Sequence, residues 1–200
     1  MKFLEFKKNL QDQLVFTSED AKKIDDGFDY RRLSEWQEKK YIKKIIKGKY
    51  IFTDKNLSEE DLFAIANKIY YPSYVSLQSA LRYYNLIPEG VFSVTSISTK
   101  KTNCFETQVG SFDYRKVKPD LFFDYEVVGE GASKAKIATP EKAIVDYFYL
   151  NTDYNNEEDI SELRISEASF SENVNISRLK GLLKKINSDS LTKRVNLLIN

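Results

Sequence analysis

An α+β protein in two parts is predicted: a helical N-terminal module closed by a basic hairpin, then a larger domain that runs from helices into strands and ends in a helical tail. Three observations predict it. Apolar residues recur at helical spacing from Phe3 onward. β-Branched and aromatic residues then gather around Lys47-Gly48, and from Val91 to Ile137 the texture turns to alternating, strand-like segments. At 200 residues, 42% of them hydrophobic, the chain is long enough for a small module joined to a larger domain with a core of its own.

In chain order, Phe3, Phe6, Leu10 and Leu14 mark a first helix. Thr17 or Ser18 caps a second, with Asp20 near its third position and Ala21 and Ile24 inside; Asp25-Asp26-Gly27 ends it. A third starts at Phe28 or Asp29 and runs to about Lys39, with Tyr30, Leu33 and Trp36 turned inward. The stretch Tyr41 to Phe52 folds back at Lys47-Gly48, a dipeptide suited to a tight turn. Three short helices followed by a basic hairpin is the pattern of a winged helix-turn-helix, placed at residues 1–54.

Thr53-Asp54-Lys55-Asn56 makes a polar joint to a second domain at 57–200. Ser58 caps a helix carrying Leu62, Ile65, Ala66 and Ile69, which Tyr70-Tyr71-Pro72 stops. Ser76 caps the next, which closes at Pro88-Glu89-Gly90. Strands follow at Val91–Ile97, at Cys104–Gln108 and Ser111–Arg115 as a hairpin, at Leu121–Val128 and at Lys134–Ala138. Thr139-Pro140-Glu141 opens another helix with proline at its first position. The tail is helical at 176–186 and 191–198.

Composition closes much of the enzyme catalogue. There is no histidine, which removes imidazole bases, Ser-His and Cys-His pairs and His-containing metal sites. One Cys removes closed structural zinc sites and internal disulfides and fits a reducing cytoplasm. The 7 Gly form neither a phosphate loop nor a dinucleotide fingerprint. The start alternates charge with apolar residues, unlike a signal peptide, and no apolar run approaches the roughly 18 residues of a membrane span. The expectation is a cytoplasmic protein that is not an enzyme and carries no cofactor or metal.

Charge is where the sequence is most informative. The chain is near neutral, yet Arg31, Arg32, Lys39, Lys40, Lys43, Lys44, Lys47 and Lys49 crowd one segment against only Glu35 and Glu38. Such a stripe suggests an anionic partner. In a winged helix the third helix enters a DNA groove and the hairpin reaches neighbouring phosphates. Lys43, Lys44, Lys47 and Lys49 supply that hairpin, with Lys39 and Lys40 leading into it, and Tyr30, Arg31, Arg32 and Glu35 supply the helix face that reads bases. A solvated lysine-rich surface is the plainer alternative.

Other constellations carry less. Most of the 13 Tyr and 13 Phe fall on core-type positions and not on a base-stacking platform. Cys104 lacks any histidine to activate it; Lys100 and Lys101 lower its pKa modestly at most, and a partly buried, inert thiol is expected. Pro119-Asp120 opens like a nuclease motif, but no acid-x-Lys triplet follows. Glu141 and Asp146 read as helix-start and surface residues.

Several blocks resemble a known family. Tyr74-Val75-Ser76-Leu77-Gln78-Ser79-Ala80-Leu81 with Leu86-Ile87-Pro88-Glu89 is similar to the "YISLESAL…GLIPE" segment of AbiEi-type antitoxins. Val94-Thr95-Ser96, Phe105-Glu106-Thr107, Gly110 to Arg115 and Lys118 to Phe122 continue the likeness in order. Ala138 to Asp146 resembles its "ATPEKALLD" element, and Lys47-Gly48-Lys49-Tyr50 its "RGxY" hairpin. Together they span roughly residues 14 to 150.

The resemblance implies a type IV toxin–antitoxin system of the abortive-infection class, which limits phage spread. Such an antitoxin represses its own operon by binding inverted repeats in promoter DNA. It also neutralises a nucleotidyltransferase-like toxin without need of a stable complex. Departures are specific: Lys40 stands where the family often has glycine before the hairpin, the turn at Asp25-Asp26-Gly27 is acidic, and Lys47 replaces the usual Arg, so a point charge replaces a bidentate fork. Lys100, Lys101, Arg115, Lys116 and Lys118 cluster in the strand region and are candidates for the antitoxicity surface. The alternative is a protein-binding antitoxin or adaptor without sequence-specific DNA binding.

Overall fold

The structure, a computed structural model, describes residues 1–199 apart from Glu89 and Val91. Glu89, the expected strand start at Val91 and the terminal Asn200 therefore lie outside the described residues. The helix expected to close at Pro88-Glu89-Gly90 already ends at Tyr83, where the Leu86 N–H donates to the Leu81 carbonyl and Asn85 takes a left-handed φ of 55°.

The chain is a mixed α+β protein. Its first part runs α1 (Phe3–Leu10), β1 (Phe16–Thr17), α2 (Ser18–Ile24), α3 (Arg31–Glu38), β2 (Ile42–Ile46) and β3 (Lys49–Phe52), with the strands in an antiparallel sheet of order β1-β3-β2. Thr17 caps α2 reciprocally: its hydroxyl accepts from the Asp20 N–H at 3.1 Å, and the Asp20 carboxylate accepts from the Thr17 N–H at 2.9 Å. β1 is too short for periodicity to reveal; it exists because Phe16 and Thr17 pair with Tyr50 and Lys49. α3 starts later than its spacing suggests, because Asp29 accepts from the Arg31 N–H at 3.0 Å and holds a turn ahead of the helix. Tyr30, expected inward, is 44% exposed on that turn, while Leu33 and Trp36 are buried.

The second part runs α4 (Glu59–Ile69), β4 (Ser73–Val75), α5 (Leu77–Tyr83), β5 (Ser93–Ser98), β6 (Asn103–Thr107), β7 (Gly110–Lys116), β8 (Tyr125–Val128), β9 (Ala135–Ala138), α6 (Pro140–Leu150), α7 (Glu157–Glu162), α8 (Glu167–Asn173), α9 (Ile176–Ile186) and α10 (Asp189–Ile199). The strands form a six-stranded mixed sheet in the order β6-β7-β5-β4-β9-β8. Sequence reading passes over β4, whose Ser73, Tyr74 and Val75 are all buried and so show no alternation. It places a strand at Leu121, where Pro119–Leu121 is instead a 3₁₀ turn. The acidic run after Leu150 becomes the first turn of α7, capped by Asn156, where three carboxylates suit the positive helix end. No helix among the described residues is long and apolar enough to cross a membrane.

Two buried clusters organise the molecule. The smaller joins Phe6, Phe16, Phe28, Trp36 and Phe52 under α1–α3. The larger fills the second part, yet it also takes in Leu14, Val15, Ile45 and Ile51 from the first. Leu14 is not helical as expected; it lies past α1 and serves the other core. Strand alternation explains the division. Tyr50 and Phe52 face the N-terminal helices, while Ile51 between them faces the larger cluster, so the small sheet is buried on both sides.

Candidate nucleic-acid interface

The alternation that buries Ile51 also sorts the lysines. Lys43 pairs with Ile51 and is half-buried, and Lys49 lies two residues before Ile51 on the same face. The Lys49 ammonium donates to the carbonyl of Lys68 at the end of α4. Burial, then the nearby charge of Lys100, holds the Lys49 pKa below the ordinary lysine range. Lys68 is lowered too, by burial first and then by Lys55 and Lys49. Lys44 and Lys47 remain exposed, Lys47 beside Gly48, whose φ of +76° provides the left-handed residue of the turn. Of the hairpin lysines, Lys44 and Lys47 are thus displayed, Lys43 is partly covered and Lys49 is fastened inward.

Leading into the hairpin, α3 ends in a Schellman motif. The Lys40 N–H donates to the Gln37 carbonyl at 2.9 Å and the Tyr41 N–H to the Trp36 carbonyl at 2.8 Å, with Lys40 at φ 57°. A lysine therefore holds the left-handed position that glycine usually fills. Lys39 and Lys40 are both exposed.

Along the helix face, Arg31 has a side chain 90% exposed, 3.9 Å from Asp29, and Glu35 is exposed as well. Tyr30 carries the Lys22 ammonium 5.5 Å from its ring centre. Arg32 is different: it is half-buried and its guanidinium donates to the Met1 carbonyl at 2.7 Å, tying the chain start to α3.

The second basic group is assembled by the sheet. In the parallel register of β5 and β7, Ser98 pairs with Lys116, and the Lys116 N–H donates to Thr102 at 3.2 Å. Lys100, Lys101, Arg115, Lys116 and Lys118 therefore share one end of the sheet, all exposed. Lys100 lies 5.4 Å from the Tyr70 ring centre and near enough to Lys49 to depress its pKa. The two basic groups, separate in sequence, adjoin through Lys49 and Lys100.

Other sequence readings need correction. Asp146 is not a surface residue: it is 2% exposed, and accepts from the hydroxyls of Tyr74 at 2.9 Å and Ser76 at 2.8 Å and from the Lys142 ammonium. Lys142 is itself wholly buried. Burial raises the Asp146 pKa, opposed by Lys142 and the two hydroxyls. Ser76 therefore does not cap α5 with its side chain, whereas Thr139 does cap α6. Glu141 opens α6 as expected but is buried, accepting from the Asn175 N–H at 2.7 Å and so fixing the start of α9. Cys104 is exposed, and its thiol is pushed up to about 11 by hydrogen bonding to Asp113, with Glu106 adding to it, not lowered by the lysines. The signal for the Lys142–Asp146 pair was its i,i+4 spacing, which alone also fits a solvated helix face.

Neither a protein-family model nor a curated protein matches the chain.

Proposed function

We propose that residues 1–54 act as a winged helix-turn-helix and that the protein is a cytoplasmic DNA-binding repressor of its own promoter. The antitoxin role is part of the same proposal: neutralisation of a nucleotidyltransferase-like toxin in an abortive-infection system. The observation that carries the DNA reading is the order helix–strand–helix–helix–strand–strand with sheet order β1-β3-β2, which puts a basic hairpin directly after the third helix. Exposed Lys44 and Lys47 on the hairpin and exposed Arg31 and Glu35 on α3 support it. The antitoxin role rests on the ordered sequence blocks between residues 14 and 150.

In this reading the lysines supply sequence-independent phosphate affinity and the helix face supplies discrimination. The test is binding of the whole protein to the DNA upstream of its own gene against a scrambled duplex, over a salt series. Preference for its own DNA with affinity falling steeply in salt is expected. Equal, weak binding to both duplexes removes the repressor role and leaves the protein-binding antitoxin.

A further inference from the structure

A cleft of about 770 Å³ opens on the large sheet. In β7, Tyr114 turns toward α4, where its hydroxyl donates to the Ala66 carbonyl at 2.7 Å. Its neighbours Asp113 and Arg115 therefore face the other side, and both line the cleft. Register sets Thr95 of β5 and Cys104 of β6 on either side of Asp113, so β7 runs down the middle of the floor. The apolar wall stands next to it. The Thr95 hydroxyl donates to the Ser76 carbonyl at 2.7 Å and accepts from the Ser79 N–H at 3.0 Å, which seats the start of α5 on β5. Leu77, between those two contacts, lines the cleft with Ile87, Tyr147 and Leu163. A ligand over β7 is thus one strand spacing, about 4.8 Å, from the foot of that wall.

Among the described residues, three charged side chains line the space: Asp113, Arg115 and, on α7, Glu162. Asp113 accepts from the Ser93 hydroxyl at 2.6 Å and from the Cys104 thiol, both neutral partners. Arg115 and Glu162 are exposed and make no ion pair or side-chain hydrogen bond among the described residues. An acid and a base thus stand two residues apart on one strand face without pairing. The lining calls for a zwitterion: a carboxylate for the Arg115 fork, an ammonium for Asp113 and an apolar body for Leu77 and Leu163.

The spacing selects its length. Alternate residues of a strand lie about 6.5–7 Å apart. The charged ends of an extended two-residue peptide are separated by nearly the same distance, about 6–7 Å. Those of a single amino acid sit on one carbon. From this match we propose that the cleft binds a free dipeptide with apolar side chains, laid along β7 with its carboxylate at Arg115 and its ammonium at Asp113. Glu162, with Asp153 and Asp159 beside it, adds to the attraction for the ammonium. The site does not rest on the DNA reading. It shares Arg115 with the second basic group, so a bound dipeptide neutralises one charge of that surface.

The test is isothermal titration calorimetry of the full-length protein with L-leucyl-L-leucine, for which a Kd below about 1 mM is expected. Cys104 places the binding, because it is the chain's single cysteine and pairs with Asp113 across the floor. Its alkylation by iodoacetamide is expected to slow at least fivefold at saturating dipeptide. Leucyl-leucine amide, N-acetyl-leucyl-leucine, glycylglycine and free leucine each bind at least tenfold more weakly. Arg115→Gln weakens leucyl-leucine at least tenfold and leaves the amide unchanged, and Asp113→Asn does the same relative to the acetylated form. The ligand series on the unaltered protein decides the question even where a variant fails to fold. The proposal is overturned by absence of binding, by unprotected Cys104, or by equal binding of the amide, the acetylated form or glycylglycine. Equal binding of free leucine overturns it too, since that result assigns the cleft to single amino acids, as does leucyl-leucine affinity unchanged in Arg115→Gln.

Discussion

The ammonium of Lys49, in the basic hairpin, donates to the main-chain carbonyl of Lys68 at the end of α4. A side chain of the type that elsewhere meets phosphate thus fastens the N-terminal module to the larger domain. Lys55 in the joint donates to the Gln13 carbonyl of the N-terminal module at 3.0 Å, and within that module Lys7 pairs with Asp54 at 2.5 Å. The lysine stripe divides into bases that hold the protein together and bases left for a partner.

That division is measurable on DNA. Lys44→Met with Lys47→Met is expected to weaken binding to own and random duplexes alike, and to flatten the salt dependence by about 0.9 in slope for each phosphate no longer neutralised. Lys49→Met is expected to leave the slope nearly unchanged and to cost about 1 kcal/mol of stability in urea, as a hydrogen bond is removed. On α3, Arg31→Ala relaxes discrimination between sequences, whereas Arg32→Ala removes the bond to Met1 and shows chiefly as lower stability. An equal drop in slope for Lys49 and Lys47 would return Lys49 to the displayed lysines.

Lys40 offers a test of backbone strain. Glycine adopts its left-handed conformation without steric cost, so Lys40→Gly is expected to raise stability by about 0.5–1 kcal/mol, while Lys40→Ala brings no such gain. Thermal and urea unfolding of the two variants compare them directly.

Removing one member of the buried pair should be far more costly. Lys142→Met or Asp146→Asn alone leaves a buried polar group without its partner, at about 3–5 kcal/mol each. The double variant Lys142→Met with Asp146→Leu is expected to lose less than the two single losses added together, in a double-mutant cycle by chemical denaturation.

Alkali should unfold the protein. Tyr74, Tyr84 and Tyr114 are raised first by burial; their hydroxyls donate to Asp146, to Glu126 and the Ala138 carbonyl, and to the Ala66 carbonyl. Unfolded tyrosines lose their protons near pH 10 while these keep theirs, so above that pH the folded state binds more protons and stability falls as pH rises. Three such groups give a slope of up to about 4 kcal/mol per pH unit. Lys49 and Lys68 act the other way, since their lowered pKa values favour folding as pH rises, but only until free lysine also deprotonates. Tyr114→Phe is expected to make the alkaline slope shallower.

Much of the local structure was legible. Thr17 with Asp20 and Ser58 with Asp61 are capping boxes, and both helices start where those residues stand. Lys47-Gly48 turns as its composition suggests. What escaped reading were segments defined by partners elsewhere: β1 and β4, whose residues become strands by pairing with β3 and with β5 and β9. Asp146 escaped for the same reason. An acid in the helical run Ala143 to Phe148 looks like a solvent-facing residue until Tyr74 and Ser76 are brought from 70 or more positions away to meet it.

By itself, the sequence determined the class of fold, the caps and turns, and the presence of a dense basic segment, because these depend on neighbours within a turn of helix or a hairpin. Only the tertiary structure decided which bases are displayed, that the Lys100 group adjoins Lys49, and that a cleft with acids opens beside β6. Those outcomes depend on which face of a strand meets another element. Alternation shows that the two faces of a strand differ, and only packing decides which of them is buried.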